Sequence, residues 1–227
     1  MRFITLFSLA AALALGACGR RPGLQYTQAG FRPQAQKLGY VAPLSGVKLV
    51  VGERMPAHPD PFLSAMVARQ LKGVLLGQQR ELHLTTEVVV DSLQRPLLLA
   101  EINQALRQML PNKSLVDSPS CPQLQQLVQG QPQRYTLLLM CEGFTMVKDR
   151  YTRAYVYGAN SQVVTGIGRM PIKAGIWFSL IVYDSQSQQI VLAHSSLEEH
   201  EPLDNIRNTR HLLRLAGRPF GLMSPTP

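Results

Sequence analysis

The chain has 227 residues, with 23 Lys and Arg against 14 Asp and Glu, a formal charge of +9. That length suffices for one sizeable domain or two small ones, and one is expected. No segment reaches about 18 uninterrupted apolar residues, which leaves no candidate for a permanent membrane-spanning helix.

The chain opens with Met1-Arg2-Phe3 and an apolar run from Ile4 to Leu15 broken only by Thr5 and Ser8, then Leu15-Gly16-Ala17-Cys18. A short positive start, about a dozen apolar residues and small residues before a cut are the anatomy of an export signal. Leu15-Gly16-Ala17-Cys18 resembles the lipobox of bacterial lipoproteins. The resemblance implies cleavage between Ala17 and Cys18, an acylated Cys18 as the new N-terminus, and Gly19 as a residue that favours the outer membrane. The alternative is an ordinary secretory signal cut after Ala17. Several acyl chains anchor stably where one is marginal, because each buried CH₂ contributes about 0.8 kcal/mol.

Without residues 1–17 the chain keeps 210 residues and 22 basic against 14 acidic side chains. An exported basic protein meets anionic lipid, lipopolysaccharide or cell-wall polymer rather than nucleic acid. Residues 18–46 are rich in Gln, Gly, Pro and Arg without sustained apolar periodicity and are expected to be a flexible tether. The folded domain is expected over 47–220, with 221–227 as a tail.

Val47 to Val51 suits a buried strand. Asp60-Pro61 signals a helix start, and Phe62, Leu63, Met66, Val67, Leu71, Val74 and Leu75 then form one apolar stripe to about Gly77. Leu82, Leu84, Thr86, Val88 and Val90 alternate with His83, Thr85 and Glu87 as in a half-buried strand, interrupted near its end by Val89. A second helix is expected from Pro96, with Leu98, Leu99, Ile102, Leu106, Met109 and Leu110 inward, until Pro111 stops it. Leu115-Val116 is a short strand candidate, Pro122 to Val128 a short helix, and Tyr135 to Met140 a central strand covered on both faces.

Tyr151, Tyr155 and Tyr157 interleave with Arg150 and Arg153 before the Gly158-Ala159-Asn160 turn. This segment reads equally as a partner-contacting surface or as an edge hairpin with amphipathic side chains. Ile176 to Tyr183, the turn Asp184 to Gln188 and Ile190 to Ala193 form the clearest hairpin. A last helix is expected from about Asp204 to Gly217, with Arg207, Arg210, Arg214 and Arg218 gathered on one face opposite its leucines. That face is an anion-binding stripe or an ordinary solvated one. Strands and helices mixed without strict alternation predict an α+β fold, a single mixed or antiparallel sheet with helices packed mainly on one face.

Cys121 and Cys141 remain once Cys18 is set aside. In an oxidising compartment they are a disulfide candidate, closing about 20 residues for roughly 3 kcal/mol; the alternative is two separate buried thiols. His194, Glu198, Glu199, His200 and Glu201 are the one cluster of metal-ligand types, but their spacing matches no closed zinc pattern, so a solvated loop after a strand is expected, with His194 as an edge residue, and no metal. There is no Gly-x-Ser-x-Gly elbow and no phosphate-binding Gly loop, so neither catalysis nor a cofactor is expected.

The span from Val47 to Leu215 resembles the periplasmic domains of envelope lipoproteins related to the curli secretion lipoprotein CsgG and the penicillin-binding-protein activator LpoB. The resemblance is carried by the helix Leu98 to Leu110 followed by Leu115-Val116-Asp117, the strand Tyr135-Thr136-Leu137-Leu138-Leu139, the Leu180–Asp184 to Ile190–Leu192 hairpin and the closing helix. It implies a component that works by assembly, with an envelope protein partner or with copies of itself, and not an enzyme. A strand and a helix placed before the matching segment depart from the pattern. The other function class is a binder of a small molecule or glycan, and a third is an envelope hydrolase.

Overall fold

A computed structural model describes residues 24–51, 57–109, 119–147 and 174–199, with positions 152, 156, 210, 213 and 217–220. Among the described residues its frame is one eight-stranded mixed sheet. The strands are β1 (Gln25–Thr27), β2 (Leu38–Val41), β3 (Leu44–Val50), β4 (His58–Pro59), β5 (Leu84–Val88), β6 (Tyr135–Met146), β7 (Ala174–Asp184) and β8 (Gln189–Glu199). Their order is β1-β8-β7-β6-β2-β5. β2 and β3 lie one after the other along the same side of β6, both parallel to it, and β4 pairs with the outer side of β3. β7 and β8 form the expected hairpin, antiparallel to β6 and to each other.

Three helices with both ends among the described residues pack on this sheet: α1 (Pro61–Gly77), α2 (Gln94–Met109) and α3 (Pro122–Val128). α1 starts where its sequence says, because the Asp60 carboxylate accepts from the Leu63 amide at 2.8 Å and Pro61 needs no donor. It buries Val67, Leu71, Val74 and Leu75, whereas Phe62, expected in the same stripe, is 81% exposed. Lys72 on α1 donates to both oxygens of Glu87 on β5 at 2.6 and 2.9 Å, fastening the helix to the sheet edge.

α3 begins at Cys121, which makes no capping hydrogen bond. The cap comes from α2 instead: Glu101 accepts from the amides of Gln123 at 2.8 Å and Leu124 at 2.9 Å. A carboxylate satisfies the free donors and opposes the positive end of the helix dipole.

The α+β class and the single mixed sheet agree with the sequence, and the helices divide between its two faces. One core joins α1 to Leu38, Leu137, Leu139, Cys141, Phe178, Leu180 and Val182, with Leu213 and Phe220 added. The other joins α2 and α3 to Val41, Leu44, Leu138, Met140, Ile181 and Tyr183. The chain leaves β3 outward to β5 through α1 and returns to β6 through α2 and α3. Parallel crossovers of one hand that run in opposite directions put their helices on opposite faces.

Two further expectations are corrected. The segment 18–46 is not wholly a tether: Leu24 and residues 38–42 are buried, and β2 lies inside the sheet between β5 and β6. Its four residues Leu38-Gly39-Tyr40-Val41 are too few to show a period, and both partners are distant in sequence. The alternation through Leu82, Leu84, Val88 and Val90 does not serve one face. The register shifts between Leu38 and Tyr40, so Leu82 and Leu84 enter the α1 core while Val88 and Val90 enter the other. One extra residue in a strand moves everything after it to the opposite face.

Candidate functional site

β6 runs on past the end of its contact with β2, and there its α2-facing side chains are only half covered. From Thr136 to Cys141 every residue is buried; Glu142 to Met146 are half-buried. Pairing puts Gly46 of β3, Glu142 of β6 and Trp177 of β7 in one row, with Lys48, Phe144 and Gly175 in the next. These share the face that carries Leu138 and Met140.

Two glycines shape the floor. A Cβ on Gly175 would stand 2.7 Å from Phe144 Cε1, so the Phe144 ring lies across the space that a side chain would fill. A Cβ on Gly46 would stand 2.9 Å from Leu99 Cδ2, so its absence lets α2 come down close beside the row. Trp177 Nε1 donates to Ser179 Oγ at 2.9 Å, two residues along the same face, which lays the indole down along β7. Both aromatic rings therefore rest on the sheet.

Glu142 stands between two adjoining clefts. One, of about 420 Å³, is lined by Gly46, Lys48, Val50, Phe144 and Trp177 among others. The second, of about 570 Å³, is lined by Asn103, Gln104, Arg107 and Gln108 of α2. Glu142 lines both. Burial pushes its carboxyl above the usual carboxylate range, while a hydrogen bond from Asn103 and the charges of Lys48 and Arg107 pull the other way. Chemically the arrangement offers an acceptor, planar amides, two cations and a flat apolar floor.

None of these residues stood out in the sequence. The one local signal was an acidic residue and a glycine, Glu142-Gly143, closing an apolar strand. Phe144, Trp177 and Asn103 sit on three separate elements that only the fold brings together.

The sequence-derived candidates fall elsewhere. Cys121 and Cys141 are free thiols, and the disulfide expectation is corrected. Cys141 points into the α1 core and Cys121 into the α2 and α3 core, on opposite faces of the sheet. Burial pushes each thiol up to about 12, Glu101 adding to the effect at Cys121 and Glu142 at Cys141. His194 is buried on β8 with Gln25 of β1 on one side and Leu180 of β7 on the other, so it is not an edge residue. Glu198 and Glu199 end β8, and His200 and Glu201 lie outside the described residues. Among the described residues no three metal-ligating side chains converge.

Arg210 is helical and exposed, and Leu213 is helical and buried. Arg218 opens a short 3-10 turn. Arg150, Tyr151, Arg153, Tyr155, Tyr157, Arg207 and Arg214 lie outside the described residues, as do Ala17 and Cys18.

No protein-family model matches the chain, and neither does any curated protein. Among solved structures, it is similar to the PelC dodecamer from Paraburkholderia phytofirmans at 8% identity and a TM-score of 0.39, over 87% of this chain and 94% of that one. It is also similar to the LpoB C-terminal domain from Salmonella enterica at 10% identity and a TM-score of 0.28, over 75% of this chain and 86% of that one. TM-scores this low do not establish a shared fold.

Proposed function

We propose that the protein is a lipid-anchored component of the bacterial cell envelope, held close to the outer membrane on its periplasmic side, where it binds a partner and performs no catalysis. The observation that carries the proposal is the Leu15-Gly16-Ala17-Cys18 segment behind a short apolar run, and the chain from Cys18 to Leu24, the first described residue, is short. The Leu24 amide donates to Ser195 Oγ at 3.0 Å, its carbonyl accepts from the Ser195 amide at 2.8 Å, and its side chain is buried. Six residue steps span at most about 22 Å when fully extended. An acylated Cys18 would therefore keep the start of β1 within that reach of the lipid surface, far closer than a tether running to residue 46 would.

In this reading the anchor confines the domain and the sheet presents a binding face to whatever lies beside the membrane. Cys18→Ala tests the anchor. Lipid labelling should be lost and the protein should move from the membrane to the soluble fraction; unchanged attachment would overturn the lipobox reading. Crosslinking of the native protein in its own membrane tests the assembly role. A stoichiometric envelope partner or a homo-oligomer is the expected product, and recovery of the monomer alone would shift the reading to ligand binding.

A further inference from the structure

The paired clefts around Glu142 have a chemistry that the anchoring reading does not use. The floor is flat and aromatic, because Gly175 lets Phe144 lie down and Ser179 holds the Trp177 indole along the strand. The wall is polar and mixed: Glu142 accepts, Asn103, Gln104 and Gln108 can donate and accept, and Lys48 and Arg107 donate.

We propose that these clefts bind a sugar ring of an oligosaccharide, stacked on Trp177 and Phe144 and hydrogen-bonded by Glu142, Asn103 and Arg107. Each part of the site selects for that class. A pyranose has an apolar C–H face that packs against an aromatic ring and a rim of hydroxyls that both donate and accept. A lipid chain would set apolar atoms against the polar wall of Glu142, Asn103 and Arg107 and make none of the hydrogen bonds that a rim of hydroxyls offers them. Two cations beside one carboxylate oppose a cationic ligand. They do accommodate an uncharged sugar or one carrying a single carboxylate. A cleft of about 420 Å³ next to one of about 570 Å³ falls in the range of ordinary ligand sites and gives room for more than one ring. The proposal is independent of the lipid anchor.

Trp177 is the single tryptophan of the chain, so its emission reports on this cleft alone. The purified full-length protein is titrated with an N-acetylglucosamine tetramer and, separately, with a galacturonic acid tetramer. A saturable emission change with at least one of them is expected, and the better ligand distinguishes an uncharged from an acidic sugar. Glu142→Gln keeps the shape of the side chain and should weaken binding at least about tenfold. Gly175→Ala should weaken it as well, by driving Phe144 out of the floor. Circular dichroism establishes that each variant is folded, and if Gly175→Ala does not fold, Glu142→Gln decides. The proposal is overturned by the absence of a saturable change with both sugars, or by wild-type affinity in Glu142→Gln. Emission that changes with protein concentration alone would also overturn it, marking the aromatic floor as a contact between two copies of the chain.

Discussion

Strand β6 passes through two environments. Its first half, up to Cys141, lies between α1 on one side and α2 with α3 on the other, and alternate residues feed two closed cores. Its second half, from Glu142, has β3 in place of β2 as a neighbour and presents a charged group and a ring to half-open space. Continuous apolar sequence follows from burial on both faces in the first half. In the second, polar and small residues interrupt the run, and there the molecule keeps groups that cost stability but can bind. Stability is concentrated in one half of the strand and chemistry in the other.

The largest test of this contrast is Leu138→Ala. Leu138 is fully buried, and its truncation should cost about 2–5 kcal/mol in urea unfolding. Phe144→Ala removes more atoms, yet it should cost less, since its ring is only half-buried. The reverse order would break the comparison.

A second test lies at the other end of the hairpin. Asp184 accepts from Arg134 Nε and Nη2 at 2.9 and 2.7 Å, from the Gln186 amide and from the Ser187 hydroxyl. Burial works against its ionisation, but these hydrogen bonds and the Arg134 charge outweigh it and hold the carboxyl below the usual range. A lowered folded-state value means that Asp184 contributes stability above its unfolded-state pKa and loses it as pH falls through the folded value. Asp184→Asn should cost about 1–3 kcal/mol at neutral pH, and the gap from the wild type should close in acid. A gap that persists at low pH would show that shape and not charge holds the turn.

Glu101→Ala should cost about 1 kcal/mol by uncapping α3. Its sharper readout is thiol labelling: Cys121, at the start of that helix, should react faster with a maleimide while Cys141, in the opposite core, stays as slow as before. Equal acceleration at both would show that the two cores open together.

The smallest effect has the opposite sign. Because burial raises the folded-state pKa of Glu142, the folded protein holds that proton more tightly than the unfolded chain does. Ionisation therefore takes away stability as pH rises through and above the unfolded value. Glu142→Gln should slightly raise the melting temperature at neutral pH while weakening sugar binding, as expected where a site is kept at the expense of stability. A lower melting temperature would make Glu142 a structural residue.

What could be read from the sequence was local. Asp60-Pro61 fixed the start of α1, Pro122 to Val128 gave α3, and the turn at Asp184 to Gln188 gave the β7–β8 hairpin, because capping, proline geometry and short-range alternation act over a few residues. The α+β class followed from the order of these elements.

Tertiary structure decided the rest. It drew Leu38–Val41 out of a polar segment into the sheet, shifted the register at Tyr40 so that one strand serves two cores, and set Cys121 and Cys141 on opposite faces. It also laid Phe144 over Gly175 beside Trp177. Each depends on a partner far along the chain, and a strand's face, neighbour and cover are properties of the pair and not of either segment. The proposed lipobox at Cys18 is a purely local sequence signal, whereas the consequence it would have, the start of β1 held within about 22 Å of the lipid, depends on where the fold captures Leu24.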